Sequence, residues 1–106
     1  MSSDERTTVW KATGNQASGT ATIEGEVDFS NSLDVRTWIK DFAQTFQGDL
    51  LLDLSSLNYI DSSGLAVLIE IRKHLKSQNR GIRVVGVSSQ VNKLFTLTQI
   101  GELFGL

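Results

Sequence analysis

Cysteine and proline are both missing from this chain of 106 residues, and it contains a single histidine. The absence of cysteine excludes a disulfide, a thiol nucleophile and a cysteine-based zinc site, and it suits a reducing compartment, so we expect a cytoplasmic protein. No segment rich in serine, glycine and proline divides the chain. Its length is enough to bury one hydrophobic core, and we therefore expect one domain.

Clustered positive charge and long hydrophobic runs are also lacking. The net charge is −2 and no Lys/Arg cluster is present, whereas nucleic-acid binding rests on neutralising several phosphates at once, so no nucleic-acid partner is expected. The longest apolar runs, Leu50–Leu52 and Leu65–Ile69, are far shorter than the roughly 20 residues that span a bilayer. Residues 1–6 are polar and acidic. We expect neither a signal peptide nor direct membrane insertion, and a disordered or flexible N-terminus over residues 1–6.

The first half of the chain predicts a hairpin followed by a helix. Thr7–Ala12 and Thr20–Glu24 have the composition of strands, and the turn-forming segment Gly14–Gly19 joins them. The segment Asn31–Gln47 has the spacing of an amphipathic helix, with Asn31 or Ser32 as its cap and a glycine directly after it. The apolar residues that set this spacing are Val35, Trp38, Ile39, Phe42 and Phe46.

The second half predicts a βαβ unit and a last short helix. Asp49–Leu54 and Ile82–Val87 are strands, and the helix Ser63–Ser77 between them should make a right-handed connection between parallel neighbours. We expect the inner stripe of that helix to be Leu65, Leu68, Ile69, Arg72 and Leu75. A further helix is predicted over Ser89–Leu97. The fold class is therefore α/β, a single domain with a mixed, mostly parallel four-stranded sheet, an N-terminal hairpin and helices packed on the sheet.

The segment Asp61-Ser62-Ser63-Gly64 follows a strand, where ligands and partners of α/β sheets tend to bind. Taken alone, it predicts a helix cap, because an Asp or Ser oxygen accepts from the first free N–H groups of a helix. The same position also favours an anion, including a phosphate attached to the serine itself. The local pattern leaves both interpretations open.

Three catalytic or nucleotide-binding alternatives find little support. A serine hydrolase needs a base near its nucleophile, but His74 lies twelve residues after Ser62 on the same predicted helix, or about 18 Å along its axis. Gly14–Thr20 has the glycine spacing of a phosphate-binding loop, but threonine stands in place of the lysine and a strand follows. A metal-binding phospho-acceptor pocket of the response-regulator kind would use paired acids and a lysine that are not found. The acids weighed for such a pocket are Asp28, Asp49, Asp53 and Asp61.

Three segments together resemble a known family. They are Ile23–Asp28 (IEGEVD), Leu51–Leu65 (LLDLSSLNYIDSSGL) and Val84–Val87 (VVGV), and they occur in order with compatible spacing. The chain resembles the STAS domain over residues 7–106, in particular the bacterial anti-sigma-factor antagonists. The departure is a longer, more polar first hairpin loop, which leaves open whether that loop contacts a partner.

The resemblance implies a phosphorylation-controlled protein-binding switch and not an enzyme. It assigns the phosphorylated serine to Ser62, with Asp28, Asp61, Ser63 and Gly64 as partner-binding or phosphosite-supporting residues. The implied partners are an anti-sigma factor with serine kinase activity, whose ATP site is of the histidine-kinase-like type, and a protein serine phosphatase. No cofactor or metal is implied. The same fold also serves as a scaffold in sensory complexes or as an accessory part of membrane transporters, without a phosphate cycle.

Overall fold

The computed structural model describes residues 9–106 of the chain. The predicted flexible segment 1–6 and the first residues of the predicted strand Thr7–Ala12 lie outside this range. The elements, in chain order, are β1 Trp10–Asn15, β2 Thr20–Val27, α1 Ser32–Ala43, β3 Leu50–Leu54, β4 Leu57–Ile60, α2 Ser62–Lys76, β5 Ile82–Val87, α3 Ser89–Thr98 and a terminal 3₁₀ helix Gly101–Phe104.

The elements form one mixed sheet of five strands in which β2 is central. β1 pairs with β2 antiparallel as the predicted hairpin. On its other edge, β2 pairs in parallel first with β3 and then with β4, and β3 pairs in parallel with β5. Residues Thr20–Thr22 of β2 pair with β3 and Gly25–Val27 pair with β4, with a register shift between Gly25 and Glu26 inside the second pairing. The same edge of β2 therefore pairs with two consecutive short strands, β3 and β4, that lie end to end.

Strand β4 is a correction to the predicted sheet of four strands. Leu57–Ile60 has only four residues and follows β3 after the two-residue turn Ser55–Ser56. Its ends are buried and its middle is exposed, so no run of alternating residues is long enough to mark a strand. The pairing partner lies about thirty residues earlier in β2, which local pattern cannot reveal.

Helix α1 ends at Ala43, four residues before the predicted end at Gln47. Phe46 continues the apolar spacing but is held by contacts outside the helix. The guanidinium group of Arg80 lies 5.2 Å from the Phe46 ring centroid, and its nitrogens donate to the carbonyl oxygens of Phe46 and Gly48. These tertiary contacts replace the last helical turn that the spacing predicted.

The core lies between one face of the sheet and the helices. Alternate residues of β2 and β3 are buried, and α1 and α2 pack on each other over this face. The buried residues of α2 are Gly64, Leu65, Val67, Leu68, Ile71 and Leu75. The predicted inner positions Ile69 and Arg72 are only half-buried, because α2 contacts α1 as well as the sheet and its buried face is turned accordingly.

Candidate functional site

Asp61 joins the start of α2 to the loop that follows β2. As the N-cap of α2, it accepts through Oδ1 from the N–H groups of Ser63 (2.9 Å) and Gly64 (3.1 Å). Its other oxygen, Oδ2, accepts from the N–H of Phe29 at 3.2 Å. The Asp61 N–H donates to the Val27 carbonyl, which extends the pairing of β2 with β4. One carboxylate therefore fixes two segments that are separated by more than thirty residues.

Gly64 allows the first turn of α2 to lie close to the sheet. A Cβ placed on this residue would lie 2.5 Å from Cγ1 of Ile60 and 3.0 Å from Cγ1 of Val27. Both neighbours are buried β-branched residues at the ends of β4 and β2, and such side chains have little freedom to move aside. Glycine at this position therefore sets how closely the helix start approaches the two strand ends.

The loop between β2 and α1 is held by a buried asparagine. Asn31 is 6% exposed; its Oδ1 accepts from the Asp28 N–H and its Nδ2 donates to the Glu26 carbonyl. The carboxylate of Asp28 accepts from the N–H and the hydroxyl of Ser30. Asn31 was predicted as a possible cap of α1 and occupies that position, but its side chain makes no cap hydrogen bond. It shapes the loop instead.

The structure brings the five predicted site residues to one edge of the sheet. Ser62 is exposed as the first residue of α2, and Ser63 behind it is half-buried. Gly64 is buried under the helix start. Asp28 lies in the adjoining loop, whose Phe29 N–H is bound by Asp61. Whether Ser62 is phosphorylated, and whether the other four residues support a phosphosite, stays a prediction on this geometry.

Two exposed apolar side chains, one in the loop that Asp61 binds and one in the first turn of the helix after it, were missed by the sequence analysis. Phe29 is 79% exposed and Leu33, in the first turn of α1, is 67% exposed. Each carries a signal that could have found it: Phe29 is an aromatic residue among turn formers, and Leu33 is out of phase with the buried stripe of α1. Exposed apolar residues grouped at a loop are typical of protein contact surfaces.

The structure separates most of the groups that the other chemistries would need. His74 lies on α2, twelve residues beyond Ser62. Asp53 accepts from the N–H and hydroxyl of Ser55 in the β3–β4 turn, whereas Asp49, just before β3, accepts from the Gly81 N–H. Within residues 9–106, no three or more His, Cys, Asp or Glu side chains are grouped so that they could hold a metal ion. The segment Gly14–Thr20 comprises the end of β1, the hairpin turn over residues 16–19 and the first residue of β2.

Helix α2 is tied to α1 by an exposed ion-pair cluster. Glu70 accepts from Arg36 Nε at 2.6 Å and from Lys40 Nζ at 3.1 Å. The hydrogen bond from Arg36, and then that from Lys40, lowers the pKa of the Glu70 carboxyl below its ordinary value. The cluster lies two turns beyond Ser62 on α2, so it supports the helix without forming part of the site.

Comparison with known proteins gives the family. The STAS domain family model matches residues 10–106. This chain belongs to the STAS domain family. The family resemblance stated from the sequence motifs is thereby confirmed, and so is the α/β fold class.

Individual relatives agree with this assignment. The anti-sigma-B factor antagonists of Staphylococcus aureus and Staphylococcus epidermidis are each 25% identical to this chain over 81 residues. The matched segment covers 76% of this chain and 75% of each relative. The solved structure of the Bacillus cell fate determinant SpoIIAA in its phosphorylated form matches with a TM-score of 0.60 and 20% identity, over 90% of this chain and 87% of that one. At this identity the structural match shows the fold. None of the helices within residues 9–106 is long and apolar enough to cross a membrane.

Proposed function

We propose that this STAS domain is an anti-sigma-factor antagonist that works as a phosphorylation-controlled binding switch. The unmodified protein binds an anti-sigma factor that is also a serine kinase and thereby releases a sigma factor. Phosphorylation of Ser62 ends the binding, and a protein serine phosphatase restores it. The protein is a substrate in this cycle and not an enzyme: its single histidine, His74, lies twelve residues beyond Ser62 on α2, too far away to activate the hydroxyl.

The observation that carries the proposal is the setting of Ser62. It is exposed at a helix start that Asp61 fixes to the Asp28–Asn31 loop. Phe29, whose N–H binds Asp61, and Leu33, in the first turn of α1, offer exposed apolar area for a protein partner. Because Ser62 is exposed, a kinase can reach its hydroxyl without unfolding the domain. The apolar side chains proposed to contact the partner belong to the loop and helix next to this helix start.

The same geometry explains how a phosphate would act. Phosphorylation adds a charge of about −1.5 to −2. The N–H groups of Ser63 and Gly64 already bind Asp61, so the phosphate would meet a neighbouring carboxylate as well as the positive end of the helix dipole. These opposing effects leave the fold largely unchanged. Docking is lost because the new charge and bulk oppose desolvation at a close interface.

The test is capture followed by phosphate mapping. Ser62→Ala protein is used to capture its partner, and the purified partner is then incubated with Mg-ATP and with wild-type, Ser62→Ala or Ser89→Ala protein. Ser89 is the matched control because it is also the exposed first residue of a helix. We expect phosphate on Ser62 in the wild type and in Ser89→Ala, and none in Ser62→Ala.

Other outcomes would redirect the assignment. Phosphate found only on Ser63 or on another residue would refute the role of Ser62. Stable binding with no phosphate transfer to any residue would favour the alternative of a scaffold or accessory subunit in a sensory complex or transporter. Nucleotide turnover or hydrolysis by the chain alone would contradict the proposal that it is not an enzyme.

A further inference from the structure

A groove that includes Ser62 in its wall lies between the start of α2 and helix α3. Its volume is about 440 Å³. The lining residues that matter here are Tyr59, Leu65, Gln90, Val91, Leu94 and Thr98. Tyr59 is 50% exposed. Leu97 is 79% exposed and lies three residues after the lining residue Leu94, hence on a neighbouring position of the same side of α3. Apolar area is therefore left open on this side of the site as well.

The lining favours an apolar occupant over an anionic small molecule. Among the described residues that line it, none is Lys, Arg or His, and the single charged side chain is the carboxylate of Asp61. A phosphate or nucleotide would find no cation there. Most of the exposed wall is apolar, and Asn58 and Gln90 add amide groups to it. This lining suits the apolar side chains of a protein partner.

The position of the groove identifies which partner would fill it. A protein that phosphorylates Ser62 must bring its active site onto that hydroxyl, and a stable interface covers about 800 Å² on each partner. Such an area, centred on Ser62, extends well beyond the serine on both sides. It therefore includes the groove, since Ser62 forms part of its wall.

Building on the proposed function, we propose that the groove between α2 and α3 is the docking site for an apolar segment of the kinase that phosphorylates Ser62, with Leu97 on the same side of α3 as a main contact. Binding in the groove would hold the partner beside the hydroxyl that it modifies. A phosphate on Ser62 would then stand at the mouth of the groove and oppose entry of the same segment.

The probe in this experiment is the purified kinase, which is identified by its transfer of phosphate from Mg-ATP to Ser62. Leu97→Asp is compared with Thr96→Asp, which places the same charge one residue earlier on the same helix. Residue 96 lines a different hollow, together with Asn92 and Glu102. We expect Leu97→Asp to raise the Kd at least tenfold and Thr96→Asp to change it less than twofold. In the phosphorylation assay, Leu97→Asp should raise KM for the substrate protein with little change in kcat, because docking and not chemistry is affected.

A second pair of variants guards against local unfolding of the helix end. Gln90→Arg obstructs the groove at the start of α3, and Asn92→Arg is its control on the opposite side. Equal Kd values for all four variants and the wild type, with Ser62 still phosphorylated, would overturn the docking proposal and leave the proposed function intact. If the captured partner does not phosphorylate Ser62, the proposed function fails and the docking proposal fails with it.

Discussion

Helices α2 and α3 begin alike and yet differ in what their first turns do. Each follows a strand and has an N-cap residue succeeded by an exposed serine: Asp61 then Ser62, and Ser88 then Ser89. Two residues further on, α2 has Gly64 and α3 has Val91, which is 1% exposed and part of the core. The α3 start is thus anchored by a side chain of its own, and the α2 start by the close approach of its backbone.

The caps differ in reach. Ser88 accepts from the Val91 N–H and donates to the Leu57 carbonyl at 2.6 Å, so it serves its own helix and the adjacent strand. Asp61 serves its own helix and also a loop from another part of the chain through the Phe29 N–H. Because both helices begin with an exposed serine, that feature alone does not indicate a functional site. Ser62 differs from Ser89 in that the cap residue before it also binds the loop after β2.

The largest expected difference between the two helix starts is in partner binding. Ser62→Asp should weaken binding to the kinase at least about a hundredfold, or about 2.7 kcal/mol. Ser89→Asp, which adds the same charge at the corresponding position of α3, should change the Kd less than about threefold, because Ser89 is not among the residues that line the groove. Calorimetric titration measures both. Urea unfolding is the control, and an equal loss of folding stability in Ser62→Asp would contradict a local switch.

The next largest effect concerns the close approach of α2. Gly64→Ala should lower the free energy of unfolding by about 1–3 kcal/mol, because the new methyl group overlaps the buried Ile60 side chain. Gly101→Ala is the control, since a Cβ there meets its nearest atom at an ordinary 3.4 Å. Urea denaturation compares the two. Equal stability of both variants would show that α2 can retreat from the sheet at little cost.

The two caps should differ by a smaller amount. Asp61→Ala should cost about 1–2 kcal/mol of folding stability and Ser88→Ala about 1 kcal/mol, within the range for lost N-caps. The sharper measurement is the amide resonance of Phe29, which should shift in Asp61→Ala and stay in place in Ser88→Ala, because only Asp61 binds that N–H. An unmoved Phe29 resonance in Asp61→Ala would mean that the loop holds its shape without the carboxylate.

The smallest expected effect is that of the ion pairs that Glu70 of α2 makes with Arg36 and Lys40 of α1. Because ionised Glu70 is favoured in the folded state, its contribution is present above the ordinary carboxyl pKa of 4.5 and is lost as the pH falls through the lower pKa of the folded protein. For an exposed pair the loss should stay below about 1 kcal/mol. Glu70→Gln should reduce this acid-range slope of unfolding free energy against pH relative to the wild type. An equal slope in Glu70→Gln and the wild type would show that the ion pair does not contribute.

Local sequence patterns predicted most of the fold, and the elements that they missed depend on distant contacts. The βαβ unit was visible because β3 and β5 are apolar runs and α2 has a clear cap. Strand β4 was not visible, because four residues carry too little periodicity and its partner is the far half of β2. The predicted length of α1 was too great, because Arg80, from the other half of the chain, binds the segment around Phe46.

The candidate site divides in the same way. The place of Asp61 and Ser62 at the start of a helix could be predicted, since a cap and the serine after it form a contiguous motif; their roles in phosphorylation and partner binding stay predictions. The bond from Phe29 to Asp61 could not, because it crosses from one loop to another through the pairing of β2 with β4. Asn31 was given a local role by its position before α1, whereas its side chain bonds back to Glu26 and Asp28.

The shared pairing of β2 also bears on when the site comes into being as the chain folds. Val27 pairs with Ile60 only after the intervening chain, with α1 and β3, has closed into a loop, and such long-range parallel pairing forms slowly. An incompletely folded chain would carry the Ser62 motif without the neighbouring loop. A kinase that requires both would leave nascent chains unmodified, and the proposed switch would respond only to finished molecules.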